Sequence, residues 1–330
     1  MKKILITGGA GFIGFHLASR LADAGHEIVV TDNFFRSKHD EDFAELLARP
    51  NVSLIQADLT ETSAWNALPT DFDEVYHLVG INGTKYFYDI PHEVLRIGVL
   101  TTVHALEWLR TKNKKGAKIL YTSSNEAYAG GMEAFGVLPV PTPENVPLVV
   151  ADTANPRWSY GAQKLIGELF FISYAKAYDL RMSIVRPHNF YGPRAGYEHV
   201  IPELIGRIEA RTSPFPIYGA TDTRSFCYIT DAVEAIQAVM ESEKTDGETY
   251  HIGTTEETVI RDLVDELFTH AAWRPEALDI QEGREGSVKR RLADVSKIKR
   301  DTGWEATTPL TVGLSRTLAW YQAHPKPLTP

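Results

Sequence analysis

The amino-acid sequence predicts an α/β protein: a doubly wound parallel sheet followed by a smaller, mainly helical C-terminal domain. Three observations carry this. Short apolar, β-branched runs alternate with longer amphipathic segments through the first half, the rhythm of parallel βαβ units. A glycine-rich turn follows the first run and opens the first helical pattern. From residue 187 onward Pro and Gly recur and helical periodicity dominates.

In order, Lys3–Thr7 reads as a strand, Phe12–Ala24 as a helix, Glu27–Thr31 as a strand and Asp42–Ala48 as a helix. Val52–Ala57 and Glu74–Leu78 are further strands, His92–Leu109 a long helix and Ala117–Ser123 the next strand. Residues 129–156, rich in Gly and Pro, read as a long loop. A helix over 158–178 and the strand Arg181–Arg186 complete the first domain, 1–186. Helices are predicted at 200–210, 258–270 and 309–323. Residues 231–252 read as helix then strand and return to the sheet, leaving 187–230 and 253–330 as the second domain.

Composition narrows the function. The 330 residues are 43% hydrophobic and 23% charged, enough for a sizeable core. A formal net charge of −9 argues against nucleic-acid binding, which needs a basic face. An anionic small ligand would instead need a local arginine cluster. Cys227 is the sole cysteine, so a disulfide framework and a Cys-based zinc site are excluded within one chain. The eleven His residues are scattered without His-x-x-x-His spacing, so no metal is expected. No apolar run approaches the roughly 18 residues of a membrane span, and the N-terminus enters a strand pattern directly. The expected setting is cytoplasmic, away from membranes.

Thr7-Gly8-Gly9-Ala10-Gly11-Phe12-Ile13-Gly14 joins the first strand to the first helix, with Gly8, Gly11 and Gly14 three apart. Glycine allows the tight turn and lets backbone approach a pyrophosphate, while the helix N-terminus offers unpaired N–H groups. Asp32 ends the second strand eighteen residues beyond Gly14, where an acid can bond ribose hydroxyls. That carboxylate would repel a 2′-phosphate, so the pattern predicts NAD in a Rossmann-type domain. Gly8, Gly11, Phe12, Ile13, Gly14, Asp32 and Asn33 are its predicted contacts. Asp58-Leu59, at the end of the third strand, edges the adenine or simply closes a turn.

Tyr160-Gly161-Ala162-Gln163-Lys164 puts Tyr and Lys four apart, on one face of a helix. A phenol with an ordinary pKa near 10 is too weak a base at neutral pH. A neighbouring ammonium favours the phenolate. Ser124, in Thr122-Ser123-Ser124-Asn125-Glu126, sits at a predicted strand's carboxyl end, the place for a hydroxyl that orients a substrate hydroxyl. Tyr160 and Lys164 also flank the predicted nicotinamide. This set argues against a non-catalytic nucleotide-binding protein on the same fold.

With these residues in view, the chain resembles the extended short-chain dehydrogenase/reductases of the nucleotide-sugar epimerase/dehydratase group, over nearly its whole length. The glycine motif, Ser124, Tyr160 and Lys164 carry the resemblance, together with Arg186-Pro187-His188-Asn189-Phe190-Tyr191-Gly192-Pro193, Thr223-Arg224-Ser225-Phe226 and Lys289-Arg290-Arg291-Leu292-Ala293-Asp294. It implies a nucleotide-sugar substrate bound by the second domain, with Asn189, Arg224 and Arg291 gripping the diphosphate. Arginine forks suit phosphate oxygens. It also implies proton removal by Tyr160 during oxidation at sugar C4, and a homodimer formed through the helices at 92–109 and 158–178.

The reaction that follows the 4-keto sugar is less defined. Asn125 stands where many 4,6-dehydratases have a carboxylic acid, and Glu126 matches both other dehydratases and UDP-glucuronate decarboxylases. Asp32-Asn33-Phe34-Phe35 and Pro156-Arg157 resemble the decarboxylases. The expectation is decarboxylase, with 4-epimerase and 4,6-dehydratase as alternatives. Glu126 joins Ser124, Tyr160 and Lys164 as catalytic, and Lys85, Asn125 and Arg194 join the substrate face. Gly98, in place of the usual Asn, and His188, in place of an apolar residue, depart from the family pattern.

Overall fold

The computed structural model describes residues 1–136, 138–283 and 289–325. Residue 137 of the predicted loop, and 284–288 and 326–330 of the predicted second domain, lie outside the described residues. The strands in chain order are β1 (Lys3–Thr7), β2 (Glu27–Asp32), β3 (Val52–Gln56), β4 (Glu74–His77), β5 (Lys118–Thr122) and β6 (Arg181–Pro187). Next come β7 (Phe190–Tyr191), β8 (Phe215–Tyr218), β9 (Thr223–Arg224), β10 (Cys227–Tyr228) and β11 (Thr249–Ile252), then β12 (Thr258–Val259), β13 (Leu278–Gln281) and β14 (Arg290–Arg291). The helices α1 (Phe12–Asp23), α2 (Glu41–Leu47), α3 (Thr62–Asn66), α4 (Thr84–Asp89), α5 (Pro91–Thr111), α6 (Gly130–Phe135) and α7 (Ser159–Tyr178) precede α8 (Val200–Glu209), α9 (Ile229–Glu241), α10 (Ile260–His270), α11 (Ser296–Thr302) and α12 (Leu310–Ala323).

Seven parallel strands form one sheet in the order β3-β2-β1-β4-β5-β6-β11. The chain builds outward from β1 to β3, then crosses back to β4. Ligands of such sheets bind where that order reverses, beyond the carboxyl ends of the strands. Alternation along the strands supplies both faces with apolar side chains. Ile4, Ile6, Ile28 and Val30 pack with Leu17 and Leu21 of α1 and with Ile236 of α9. Leu5, Val29 and Val75 turn the other way, onto Trp65 of α3, Leu106 of α5 and Phe171 of α7. The first core continues without a break into Ile205 of α8, Leu267 of α10 and Leu318 of α12. The two walls of the cleft therefore share one apolar interior.

The strand predicted to return does so: β11 pairs with β6, Thr249 opposite Ile184. Buried Lys118 secures the approach to it. Its ammonium donates to the carbonyls of Val239 (3.0 Å) and Ser242 (2.9 Å) and to Thr245 Oγ1 (2.8 Å). The predicted loop at 129–156 holds the six-residue α6, and β8 pairs with β13 in a part of the chain expected to be mainly helical. Segments of four to six residues span too few periods for sequence alternation to mark them.

Candidate active site

The β1–α1 turn is shaped for a phosphate group. Gly8 has φ +71°, and its N–H and that of Gly9 are tied to the Thr31 carbonyl at 2.8 and 3.2 Å. A Cβ on Gly14 would lie 2.5 Å from the Gly8 carbonyl oxygen, so only glycine lets α1 start this close to the turn. Asp32 braces the turn: Oδ2 accepts from the Ala10 N–H (3.1 Å), and Oδ1 from Phe34 N–H (2.8 Å) and Ser37 Oγ (2.7 Å). Phe12 and Ile13 line the cleft. Bare backbone at a helix N-terminus, with a carboxylate one strand away, fits NAD.

Across the switch point, β5 delivers Ser124 and α7 delivers Tyr160 and Lys164. The Ser124 Oγ accepts from the Glu126 N–H at 3.2 Å, which fixes its rotamer at a single 3₁₀ turn. Tyr160 is buried and stacks on Phe87, ring centroids 5.0 Å apart and 13° from parallel. Burial pushes its phenol above the ordinary range, and the Ser124 hydroxyl pulls the other way. Lys164 donates to the Thr122 carbonyl at 2.7 Å, with its ammonium 5.8 Å from the Tyr160 ring centroid. Burial pulls that ammonium down to about 7, against Glu168.

Beside this pair the cleft is lined with charge. Glu126 lies between two guanidiniums: Arg157 Nη2 donates to Oε2 at 2.7 Å and Arg291 Nη1 to Oε1 at 2.8 Å. Burial alone would raise this carboxyl, but Arg291 and Arg157 outweigh it and hold it at about 2. Glu126 is therefore a carboxylate throughout the neutral range and has no proton to donate. Arg291 Nη1 also lies 3.4 Å from Asn125 Oδ1. Arg157 Nη1 is buried with no hydrogen-bond acceptor among the described residues. Arg224, on β9 beside β14, is brought to about 10 by burial and by Arg291. Asn189 has φ +40° and donates from Nδ2 to the Ser225 carbonyl at 2.9 Å. These groups and Tyr160 line one cleft of about 660 Å³, a size suited to a small-molecule ligand.

Not every predicted residue reaches the cleft. Arg194 has φ +66° and turns away, gripping Asp40 at 2.9 Å and lying 4.1 Å from the Phe15 ring centroid. It ties the segment after β7 to the loop after β2, where a half-buried aromatic ring and a half-buried carboxylate hold the buried guanidinium. Lys85 is exposed on α4, outside the cleft lining. Asp58 uses Oδ1 to hold the Thr60 N–H (3.0 Å) and hydroxyl (2.9 Å), the turn-closing reading. Leu59 is buried beside it, and exposed Asn33 caps the Phe35 N–H at 3.0 Å. Arg157 was absent from the predicted site set, although Pro156-Arg157 stood three residues before Tyr160 as a signal. His188 is buried, its Nε2 2.7 Å from the Tyr128 hydroxyl.

A nucleotide turn, a Tyr–Lys pair and a buried arginine face on a doubly wound sheet define an NAD-dependent enzyme. The sequence model of the NAD dependent epimerase/dehydratase family matches residues 4–253. A UDP-N-acetyl-α-D-glucosaminuronate decarboxylase of Bacillus cytotoxicus is 32% identical, over 97% of this chain and 98% of its own. UDP-glucuronic acid decarboxylase 6 of Arabidopsis thaliana is 30% identical, over 94% and 86%. The crystal structure of UDP-glucuronic acid 4-epimerase from Bacillus cereus, with UDP-glucuronic acid and NAD, superposes with a TM-score of 0.84 at 25% identity, over 98% and 99%. The chain belongs to the NAD-dependent epimerase/dehydratase family, and NAD is its cofactor.

Proposed function

We propose that the protein oxidises a UDP-linked hexuronic acid at C4 and removes its carboxylate as CO2. One observation carries the choice of substrate: Arg157 and Arg291 place two positive charges against the single negative charge of Glu126, and Arg157 Nη1 is left with an unfilled donor. A buried guanidinium in that state favours an anionic partner. A sugar carboxylate is such a partner, and Arg224 with Asn189, both on the cleft lining, would serve the diphosphate.

NAD, held by the Gly8–Gly14 turn and Asp32, would supply the hydride acceptor for C4 and the hydride that reduces it again. Tyr160 takes the C4 hydroxyl proton, with the Lys164 charge favouring its phenolate and Ser124 orienting the hydroxyl. In the resulting 4-ketone the C5–carboxylate bond breaks, its electron pair moves toward the C4 carbonyl, CO2 leaves and C5 takes up a proton from water. Glu126 cannot protonate a leaving group, and Asn125 is no acid, so elimination of water across C5 and C6 lacks its donor. Glu126 does repel a second carboxylate held on the same arginines, which favours the neutral product. Tyr160 finally gives its proton to the C4 oxygen.

The experiment is the mass spectrum of UDP-glucuronate, and of its 2-acetamido counterpart, after incubation with protein and NAD. Loss of CO2 establishes the decarboxylase. An unchanged mass with inversion at C4, read by NMR, makes it a 4-epimerase of uronic acids. We also propose a homodimer through α5 and α7, where Leu169 and Tyr178 are 57% and 49% exposed. A cytoplasmic setting accords with the lone, buried Cys227.

A further inference from the structure

Gln163 lies on α7 between Tyr160 and Lys164, and its side chain is 1% exposed. Neither its Oε1 nor its Nε2 has a hydrogen-bond partner among the described residues. Leaving a buried amide in that condition costs stability, which the fold accepts one residue from the catalytic lysine. The space Gln163 fills is borrowed from α5. A Cβ on Gly98 would lie 2.0 Å from Gln163 Oε1 and 2.5 Å from its Cδ. Any other residue at 98 would push the amide out.

The inner end of the amide borders the lysine. A Cβ on Gly80, just past β4, would lie 3.2 Å from Lys164 Nζ and 3.9 Å from Gln163 Nε2. Both groups therefore face the same small space at the end of the sheet. The ammonium is short of polar company there. It donates to the Thr122 carbonyl, and otherwise faces the Tyr121 ring at 4.9 Å and the Tyr160 ring at 5.8 Å. The titratable groups around it are His77 from β4, Tyr121 from β5, and Tyr160 and Glu168 from α7. Burial holds His77 at about 3, so it is neutral at neutral pH. Glu168 spends its oxygens on Arg186 (2.8 and 2.7 Å) and Ser123.

We propose that Gln163 is a positioning residue for the Tyr160–Lys164 pair: seated in the notch at Gly98, its amide gives the Lys164 ammonium a polar neighbour, directly or through one water, and keeps that charge beside the Tyr160 phenol. With Oε1 in the Gly98 notch it is Nε2 that borders the lysine. The amide therefore acts either through a water that accepts from both the Nε2–H and the ammonium or, turned end for end, through Oε1 as a direct acceptor. The lysine charge held there stabilises the phenolate. This rests on Tyr160 acting as the base in the proposed reaction.

The test is the pH profile of kcat for Gln163→Leu, which removes the amide and keeps the bulk. The expected result is an acid limb moved up by about one pH unit, and therefore about a tenfold loss of kcat on that limb. KM for the nucleotide sugar and bound NAD should stay within about twofold, since Gln163 does not line the cleft. Returning an amide from the other helix, as Gly98→Asn with Gln163→Ala, should bring the limb back relative to Gln163→Ala alone. A purely structural role would lower the melting temperature and leave the limb in place. A wild-type profile in Gln163→Leu, or no rescue in the double variant, overturns the proposal. If Gln163→Leu fails to fold, the rescue pair decides alone. Tyr160→Phe is measured alongside: if it is inactive while Gln163→Leu is normal, only this proposal fails, whereas activity in Tyr160→Phe removes the base assignment itself.

Discussion

The two walls of the cleft are made in opposite ways. The cofactor wall is local: Gly8, Gly14 and Asp32 lie within one βαβ unit and work through bare backbone and close packing. The substrate wall gathers Glu126, Arg157, Arg224 and Arg291 from distant parts of the chain and works through charge. The first wall should fail when volume is added. The second should fail when charge is removed. A site that must hold a constant cofactor can be rigid backbone, whereas a site that selects one sugar among many needs side chains that can be exchanged.

The largest effect is expected where the walls meet. Tyr160→Phe should lower kcat by about 10²–10⁴-fold while NAD still binds, checked by turnover and by cofactor titration. Equal activity would mean that the phenol is not the base.

Arg157→Met separates the walls. It removes one guanidinium from Glu126 and should weaken binding of a uronic-acid substrate by about 1.5–3 kcal/mol, or roughly ten- to a hundredfold in KM. NAD affinity should not move. A nucleotide sugar without the carboxylate should lose far less, and equal losses for both substrates would break the charge-based reading of this wall.

Gly14→Ala does the reverse. The added methyl meets the Gly8 carbonyl and should cost about 1–3 kcal/mol, read as weaker NAD binding and a lower melting temperature.

Acid should strain the charged wall in a defined window. Glu126 sits near 2 in the folded chain against an ordinary 4.5, so the unfolded chain binds its proton more tightly. Its stabilisation is whole above about pH 4.5 and fades as pH falls toward 2. Buried His77 and His251, each near 3 against 6.5, are protonated more readily when unfolded and act with the same sign from pH 6.5 downward. Thermal melts across this range should fall, and Glu126→Gln should flatten only the part below about pH 4.5.

The smallest effect is predicted for Lys85→Ala. An exposed α4 lysine outside the cleft should leave KM within about twofold, measured by the same assay.

The same contrast explains what could be read from the chain. The cofactor wall was legible because its spacing is its mechanism: Gly8, Gly11, Gly14 and Asp32 follow one another at intervals set by a strand, a turn and a helix. Tyr160 and Lys164 were legible for the same reason, being one helical turn apart. Charge carries no such spacing. Arg194 and Arg291 look alike in sequence, yet one is spent on Asp40 and the other on Glu126. Which of them faces the cleft depends on partners in other parts of the chain. The short pairs β8–β13 and β9–β14 were hidden because two- to four-residue strands are created by their neighbours rather than by their own pattern.

The position of β11 has a consequence for how the chain matures on the ribosome. The sheet's seventh strand is made only after residues 188–248 have emerged, because Thr249–Ile252 must come back to β6. Until then β6 is an open edge, and Lys118 lacks the carbonyls of Val239 and Ser242 that will anchor it. A nascent chain stopped at residue 186 would therefore hold a nearly finished nucleotide cradle beside a sticky, unpaired strand. Synthesis of residues 188–252 is then also the step that protects the cofactor-binding sheet from misassembly.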